Sequence, residues 1–178
     1  MGVDALAIVD RDGTIVESLL AADGTVTSAF APEQLRFLPG AIAGLRVLQA
    51  GYRLAIATNQ PGAAKGQATR VAIERTNAAL VTMLAEHGVA IAHVEVCLHH
   101  PVGGPGGDAA LVGPCECRKP APGMALALLA RFGADPAQSW MIGDSAVDEA
   151  AGRAAGLRTA LVGEATLLDI AKQIMRIG

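Results

Sequence analysis

A chain of 178 residues with 52% hydrophobic and 17% charged side chains has the length and apolar content to bury a core without disulfides, and its composition argues against disorder. A formal net charge of −3 and an aromatic content of 3% exclude the basic surface and the base-stacking platform of a nucleic-acid-binding domain. No apolar run approaches the ~20 residues of a membrane-spanning helix, and the N-terminus, lacking a basic leader, reads as a first strand rather than a signal peptide. The expectation is one soluble, cytoplasmic domain over residues 1–178, monomeric, with no nucleic-acid or membrane partner.

In chain order, residues 5–10 (ALAIVD) form an apolar run of strand length that ends in an acid. Residues 41–50 place Ile42, Leu45 and Leu48 at helical spacing, and Gly51 stops them. Residues 52–58 read as a second strand. A long helix follows over 69–87, with Val71, Leu80, Leu84 and Ala85 as its apolar positions and Gly88 as its stop. A strand at 94–98, a Gly/Pro-rich loop, a helix at 123–132, a strand at 140–142, a helix at 148–155, a strand at 159–162 and a closing helix from 164 complete the series. The segment 20–38 fits neither strand nor loop by pattern. Strands alternating with helices specify an α/β fold, a mostly parallel sheet between two helical layers in a Rossmann-like three-layer sandwich. Ligands in such folds sit beyond the carboxyl ends of the strands, where Asp10, Thr58-Asn59 and Asp144 fall.

Asp10 and Asp12 lie two residues apart at a strand end, with Gly13 to turn the backbone. Such a pair either shares a divalent cation or divides nucleophile and acid between its members; in isolation it is also an ordinary turn. Asp144, with Asp148 near a helix start, offers oxygen ligands of the kind Mg²⁺ prefers, although Asp148 also suits the helix N-terminus as a charge partner. Thr58, Asn59 and Gln60 supply neutral hydrogen-bonding groups, and Arg118-Lys119 supplies cations to balance clustered carboxylates and a phosphate.

Taken together and in this order, the segments DRDGT (10–14), TNQ (58–60), RKP (118–120) and GDSAVD (143–148) resemble the haloacid dehalogenase-like (HAD) phosphatase superfamily. The resemblance implies that Asp10 attacks phosphorus to form an aspartyl-phosphate, Asp12 serves as general acid and then base, Thr58 holds the phosphoryl group and Lys119 neutralises charge. It also implies Mg²⁺ on the Asp10 carboxylate, the Asp12 carbonyl and Asp144. Phosphoryl transfer needs mainly positioning and charge stabilisation, and a carboxylate can approach a phosphate dianion only beside cations.

All three cysteines fall in the pattern C-x-H-(x15)-C-x-C, as Cys97, His99, Cys115 and Cys117. Four soft or borderline donors in two close pairs match a closed tetrahedral Zn²⁺ site, with His100 competing for the histidine position. A loop at 97–117 this poor in apolar residues needs such a clip. A chain with no large cap domain and this loop just ahead of Arg-Lys-Pro is similar to the D-glycero-D-manno-heptose 1,7-bisphosphate phosphatases and the related histidinol-phosphate phosphatases. That similarity implies a Mg²⁺-dependent sugar phosphatase with Arg11, Asn59, Gln60, Lys65 and Arg118 among its substrate contacts. After the nucleophile this chain reads SLLAAD (18–23), where the group often has His-Gly-Tyr. The difference keeps histidinol phosphate or another small phosphomonoester as an alternative substrate, and a phosphate-binding module without catalysis as the alternative outside enzymes.

Overall fold

β1 (Leu6–Val9) is buried on both faces. Leu6 and Ile8 join one apolar cluster and Ala7 and Val9 the other, which is why the strand reads as an unbroken apolar run. The computed structural model describes residues 5–20 and 24–177. β1 is the middle strand of a five-stranded sheet in the order β5-β4-β1-β6-β7, where β4 is Arg53–Asn59, β5 Ile91–Cys97, β6 Trp140–Gly143 and β7 Arg158–Leu161. All four pairings are parallel, so the sheet is parallel throughout.

One face is covered by α1 (Ala41–Leu48), α2 (Arg70–Glu86) and α5 (Leu167–Ile177), which set Leu45, Leu48, Leu80, Leu84, Ile170 and Ile174 against Leu54, Ile56 and Ile142. On the other, α3 (Gly123–Phe132) packs Met124, Leu128 and Leu129 onto Leu6, Ile8 and Met141, and α4 (Ala146–Ala154) lies against Met141 at Gly152. Each fully buried Leu or Ile contributes about 1.5–3 kcal/mol relative to exposure. These are the expected three layers. Among the described residues no helix is long and apolar enough to cross a membrane.

Three local readings change. Leu80 and Leu84 line the inner face of α2 as expected, but Val71 is 70% exposed and Ala85 is exposed too, and Ile73, Thr76 and Asn77 complete that face, two of them polar. α4 starts at Ala146, ahead of the expected 148, because Ser145 caps it and Asp148 occupies the third position of a capping box. Between β1 and α1, β2 (Leu19–Leu20) and β3 (Val26–Thr27) form a small antiparallel hairpin, followed by a single 3-10 turn at Pro32–Gln34. Residues 21–23 of the 18–23 segment lie outside the described residues.

The Gly/Pro-rich loop is held by more than its cysteines. Leu111 is buried against Ala63, Ala64 and Ile73, and the N–H groups of Gly104 and Asp108 donate to the carbonyls of Ala64 and Ala63 at 3.1 and 2.9 Å. Gly107 is required by this approach, since a Cβ there would stand 1.9 Å from the Ala64 oxygen. Composition alone hides such backbone pairing.

Candidate active site

Because β1 lies between β4 and β6, the residues that follow or end these strands converge at one edge, where the chain order reverses. Asp10 continues β1 by one residue, its N–H donating to the Ile142 carbonyl at 2.8 Å. Thr58 is buried at the end of β4, and Asp144 follows β6 and is exposed. The sheet thereby gathers residues more than a hundred positions apart.

Lys119 organises this edge. Its ammonium is buried and donates to Asp10 Oδ1 at 2.6 Å, to Asp148 Oδ1 at 2.6 Å and to the Ala57 carbonyl at 2.8 Å. These three bonds use all three of its N–H groups. Asp148 is engaged through both oxygens, since its Oδ2 accepts from the Ser145 N–H and hydroxyl. A side-chain oxygen each from Asp10, Asp144 and Asp148 lies within 4.8 Å of the others. When all are ionised, three carboxylates against one ammonium leave the edge strongly negative. Burial pushes Asp10 up to about 7, with Asp148 adding to the rise and Lys119 opposing it. Burial, then Asp148, raises Asp144 as well. Burial opposes the Lys119 charge, but Asp10 and Asp148 outweigh it and raise the lysine. A hard, all-oxygen donor set with surplus negative charge fits a divalent cation such as Mg²⁺.

Asp12 turns to the other side of the loop that follows β1. Its Oδ2 accepts from Gln60 Nε2 at 2.6 Å, Arg11 Nε at 3.0 Å and the Ser28 hydroxyl at 3.2 Å, and its Oδ1 accepts from Arg11 Nη2 at 3.0 Å. Gln60 Nε2 also reaches Thr58 Oγ1 at 2.8 Å, tying the two together. Gly13, at φ +77°, lets this loop pass so close to Asp144 that a Cβ would stand 2.1 Å from its Oδ2.

Five residues were expected to contact substrate. Arg11 and Gln60 are fully buried, and both donate to Asp12, Gln60 also to Thr58 and Arg11 also to Asn77 and the Ala29 carbonyl. Neither offers exposed surface, because each is enclosed in supporting the acid. Asn59 clamps the backbone of Lys119, donating to its carbonyl at 3.1 Å and accepting from its N–H at 3.0 Å. Lys65 and Arg118 are half-buried and face His100, whose basicity is lowered by burial and by these two cations. Arg118 also donates to the His99 carbonyl at 3.2 Å, joining the carboxylate edge to the cysteine loop.

In that loop the four expected donors come together. Cys97 Sγ lies 3.7 Å from Cys115 Sγ and 3.9 Å from His99 Nδ1, and Cys117 Sγ lies 3.5 Å from both of those atoms. Bond lengths of about 2.3 Å to sulfur and about 2.0–2.1 Å to nitrogen make the edges of a zinc tetrahedron about 3.5–3.8 Å. The cluster is compatible with zinc. His100 is outside it, its Nδ1 accepting from the N–H groups of Val102 and Gly103.

Sequence reasoning did not find Asp148 as the second carboxylate on Lys119, nor Ser28 and Asn77 as part of the Asp12 network. For Asp148 the signal was present, since it closes GDSAVD; Ser28 and Asn77 have no local pattern.

A HAD-hydrolase-like family model matches residues 116–172. The D-glycero-β-D-manno-heptose-1,7-bisphosphate 7-phosphatase of Pseudomonas putida is 34% identical over 167 residues, covering 91% of this chain and 86% of that protein. Its counterpart from Rhodopseudomonas palustris is 39% identical over 152 residues, covering 85% and 79%. The crystal structure of D,D-heptose 1,7-bisphosphate phosphatase from B. bronchiseptica, complexed with magnesium and phosphate, superposes with a TM-score of 0.74 at 25% identity, covering 98% of this chain and 99% of that one. The chain belongs to the D-glycero-β-D-manno-heptose-1,7-bisphosphate 7-phosphatase family of HAD-like hydrolases.

Proposed function

We infer that the chain hydrolyses a phosphate monoester through an aspartyl-phosphate on Asp10, and that its substrate is D-glycero-β-D-manno-heptose 1,7-bisphosphate, which loses the 7-phosphate. The observation that carries the reading is the pairing of Asp10 with Lys119 at the end of the central strand, two residues before a second, separately supported carboxylate. In the first step an oxygen of Asp10 bonds to phosphorus, the bond to the sugar oxygen breaks, and Asp12 delivers a proton to that oxygen. In the second, Asp12 takes a proton from water as the water oxygen bonds to phosphorus, releasing phosphate and restoring Asp10.

Asp10, Asp144 and the Asp12 carbonyl hold Mg²⁺ in this reading, with Asp148 occupied by Lys119 and Ser145. The bound cation supplies Lewis-acid neutralisation of phosphoryl charge. The Lys119 ammonium steadies Asp10 from the side, and its charge eases the approach of a dianion. Thr58 borders the same edge. Lys65 and Arg118 present their cations toward the distal phosphate. Cys97, His99, Cys115 and Cys117 bind a structural Zn²⁺ that fixes the start of the Arg118-Lys119 segment. The unit acts as a single cytoplasmic domain and as a monomer.

The test is kcat/KM for phosphate release with Mg²⁺ across both anomers of heptose 1,7-bisphosphate, histidinol phosphate and simple sugar phosphates. The expected result is a preference of several hundredfold for the bisphosphate, about 3.5 kcal/mol of differential transition-state binding. A flat profile, or a preference for histidinol phosphate, would reassign the substrate to what the 18–23 segment admits.

A further inference from the structure

The reaction asks Asp12 to carry a proton at a fixed point beside the leaving oxygen, yet Asp12 stands in a loop beyond the end of β1. Its most rigid support is the Arg11 guanidinium, which forks onto both carboxylate oxygens through Nε and Nη2 at 3.0 Å each. A fork positions its target only if the guanidinium plane is itself fixed. Arg11 is fully buried, and two further bonds set that plane: Nη2 donates to the Ala29 carbonyl at 3.0 Å, and Nη1 donates to Asn77 Oδ1 at 2.7 Å.

Asn77 comes from the inner face of α2, 66 residues away in sequence. It is 6% exposed, and its Nδ2 is buried with no hydrogen-bond partner. An amide on an inner helical face with one end unsatisfied is a poor choice for packing alone, where an apolar residue of similar volume leaves no buried donor stranded. What the site gains from asparagine is the Oδ1 acceptor for Arg11. Replacing it strands an N–H of a buried guanidinium and frees the plane to turn, which tilts the fork and moves the Asp12 oxygens. Misplacement by about 1 Å can cost on the order of 10²-fold in rate.

We propose that Asn77 is a positioning residue for the general acid–base Asp12, acting through Arg11. The proposal rests on the phosphatase reading above. Its signature is leaving-group dependence. A sugar alkoxide needs the Asp12 proton to depart, whereas p-nitrophenolate leaves with little help. The experiment is single-turnover phosphoryl transfer by the Mg²⁺-loaded wild type, Asn77→Leu and Asn77→Asp, with heptose 1,7-bisphosphate and with p-nitrophenyl phosphate.

For Asn77→Leu the ratio of the sugar rate to the aryl rate falls about tenfold or more, with KM for the sugar phosphate nearly unchanged. Asn77→Asp, which keeps an acceptor toward Nη1, restores the ratio to within a few-fold of wild type. Asn77→Ala is read in the same way should leucine prevent folding. A ratio that stays at the wild-type value, with both rates lowered together or neither lowered, overturns the proposal and leaves Asn77 a packing residue. Absence of turnover by the wild type on both substrates is a different outcome, and it removes the phosphatase reading itself.

Discussion

At the carboxyl edge of the sheet, Asp10, Asp144 and Asp148 come from the ends of two strands and the first turn of a helix, whereas Cys97, His99, Cys115 and Cys117 come from one strand end and the loop that returns beside it. The carboxylates are held by groups that are not themselves donors to a metal. Lys119 spans Asp10 and Asp148, Ser145 occupies the rest of Asp148, and Asp144 stays exposed. The four donors of the cysteine cluster lie directly against one another, at 3.5–3.9 Å. A closed set of four soft donors can only clamp a chain, while an open, hard, partly exposed set beside a nucleophile leaves room for a phosphate. In the proposed reading one site does chemistry and the other holds still the segment that delivers Lys119.

The sharpest way to break this contrast is to alter one member of each cluster. Asp10→Asn removes the nucleophile but leaves the Lys119–Asp148 pair, so phosphate release should fall on the order of 10⁴-fold while the melting temperature stays near wild type. A comparable loss of stability would mean that the carboxylate edge is structural. Lys119→Met leaves two buried carboxylates without their cation; activity should be lost, and denaturant titration should show a cost of about 3–5 kcal/mol.

Cys117→Ser, or treatment with a strong zinc chelator, should act in the opposite proportion. It should lower the melting temperature by roughly 10 °C, as the loss of a few kcal/mol does in a chain of this size, with a smaller fall in activity through the displaced Arg118-Lys119 segment. If chelation left both unchanged, the cluster would be reduced cysteines and nothing more.

The smallest effect is electrostatic and belongs to the carboxylate edge alone. Burial raises Asp10 to about 7, so its contribution to folding is fully present below about 4, the unfolded carboxylate value, and is lost as pH rises through about 7. Lys119 is raised too, but from an ordinary value far above this range, so its contribution persists across that window. In metal-free protein the melting temperature should therefore fall more between pH 5 and pH 8 for the wild type than for Asp10→Asn, and Mg²⁺ should restore more stability at pH 8 than at pH 5. Parallel pH profiles for the two proteins would show that Asp10 does not titrate there.

Much of this arrangement was legible before any coordinates because its parts carry local signatures. An apolar run ending in DRDGT fixes β1 and its carboxylates, strand–helix alternation fixes a parallel sheet, and C-x-H with C-x-C fixes the cysteine cluster. What escaped is long-range and polar. The apolar period of α2 puts Leu80 and Leu84 on its inner face, as observed, but also Val71 and Ala85, which are exposed; Thr76 and Asn77 face inward instead, Thr76 bonding back to the Ala72 carbonyl and Asn77 meeting Arg11. The family resemblance offers Arg11 and Gln60 as substrate contacts, and only the fold shows them enclosed behind Asp12. The tether of the 97–117 loop was hidden likewise, since it consists of backbone bonds to Ala63 and Ala64 and the burial of Leu111.

The most direct test of the central claim is rapid-quench mass spectrometry of the Mg²⁺-loaded protein during turnover of heptose 1,7-bisphosphate. The account predicts a transient phosphoryl group on the peptide containing residues 10–14, mapped to Asp10 and absent from Asp10→Asn. Steady turnover with no covalent phosphoryl at any quench time, together with retained activity in Asp10→Asn, would contradict it.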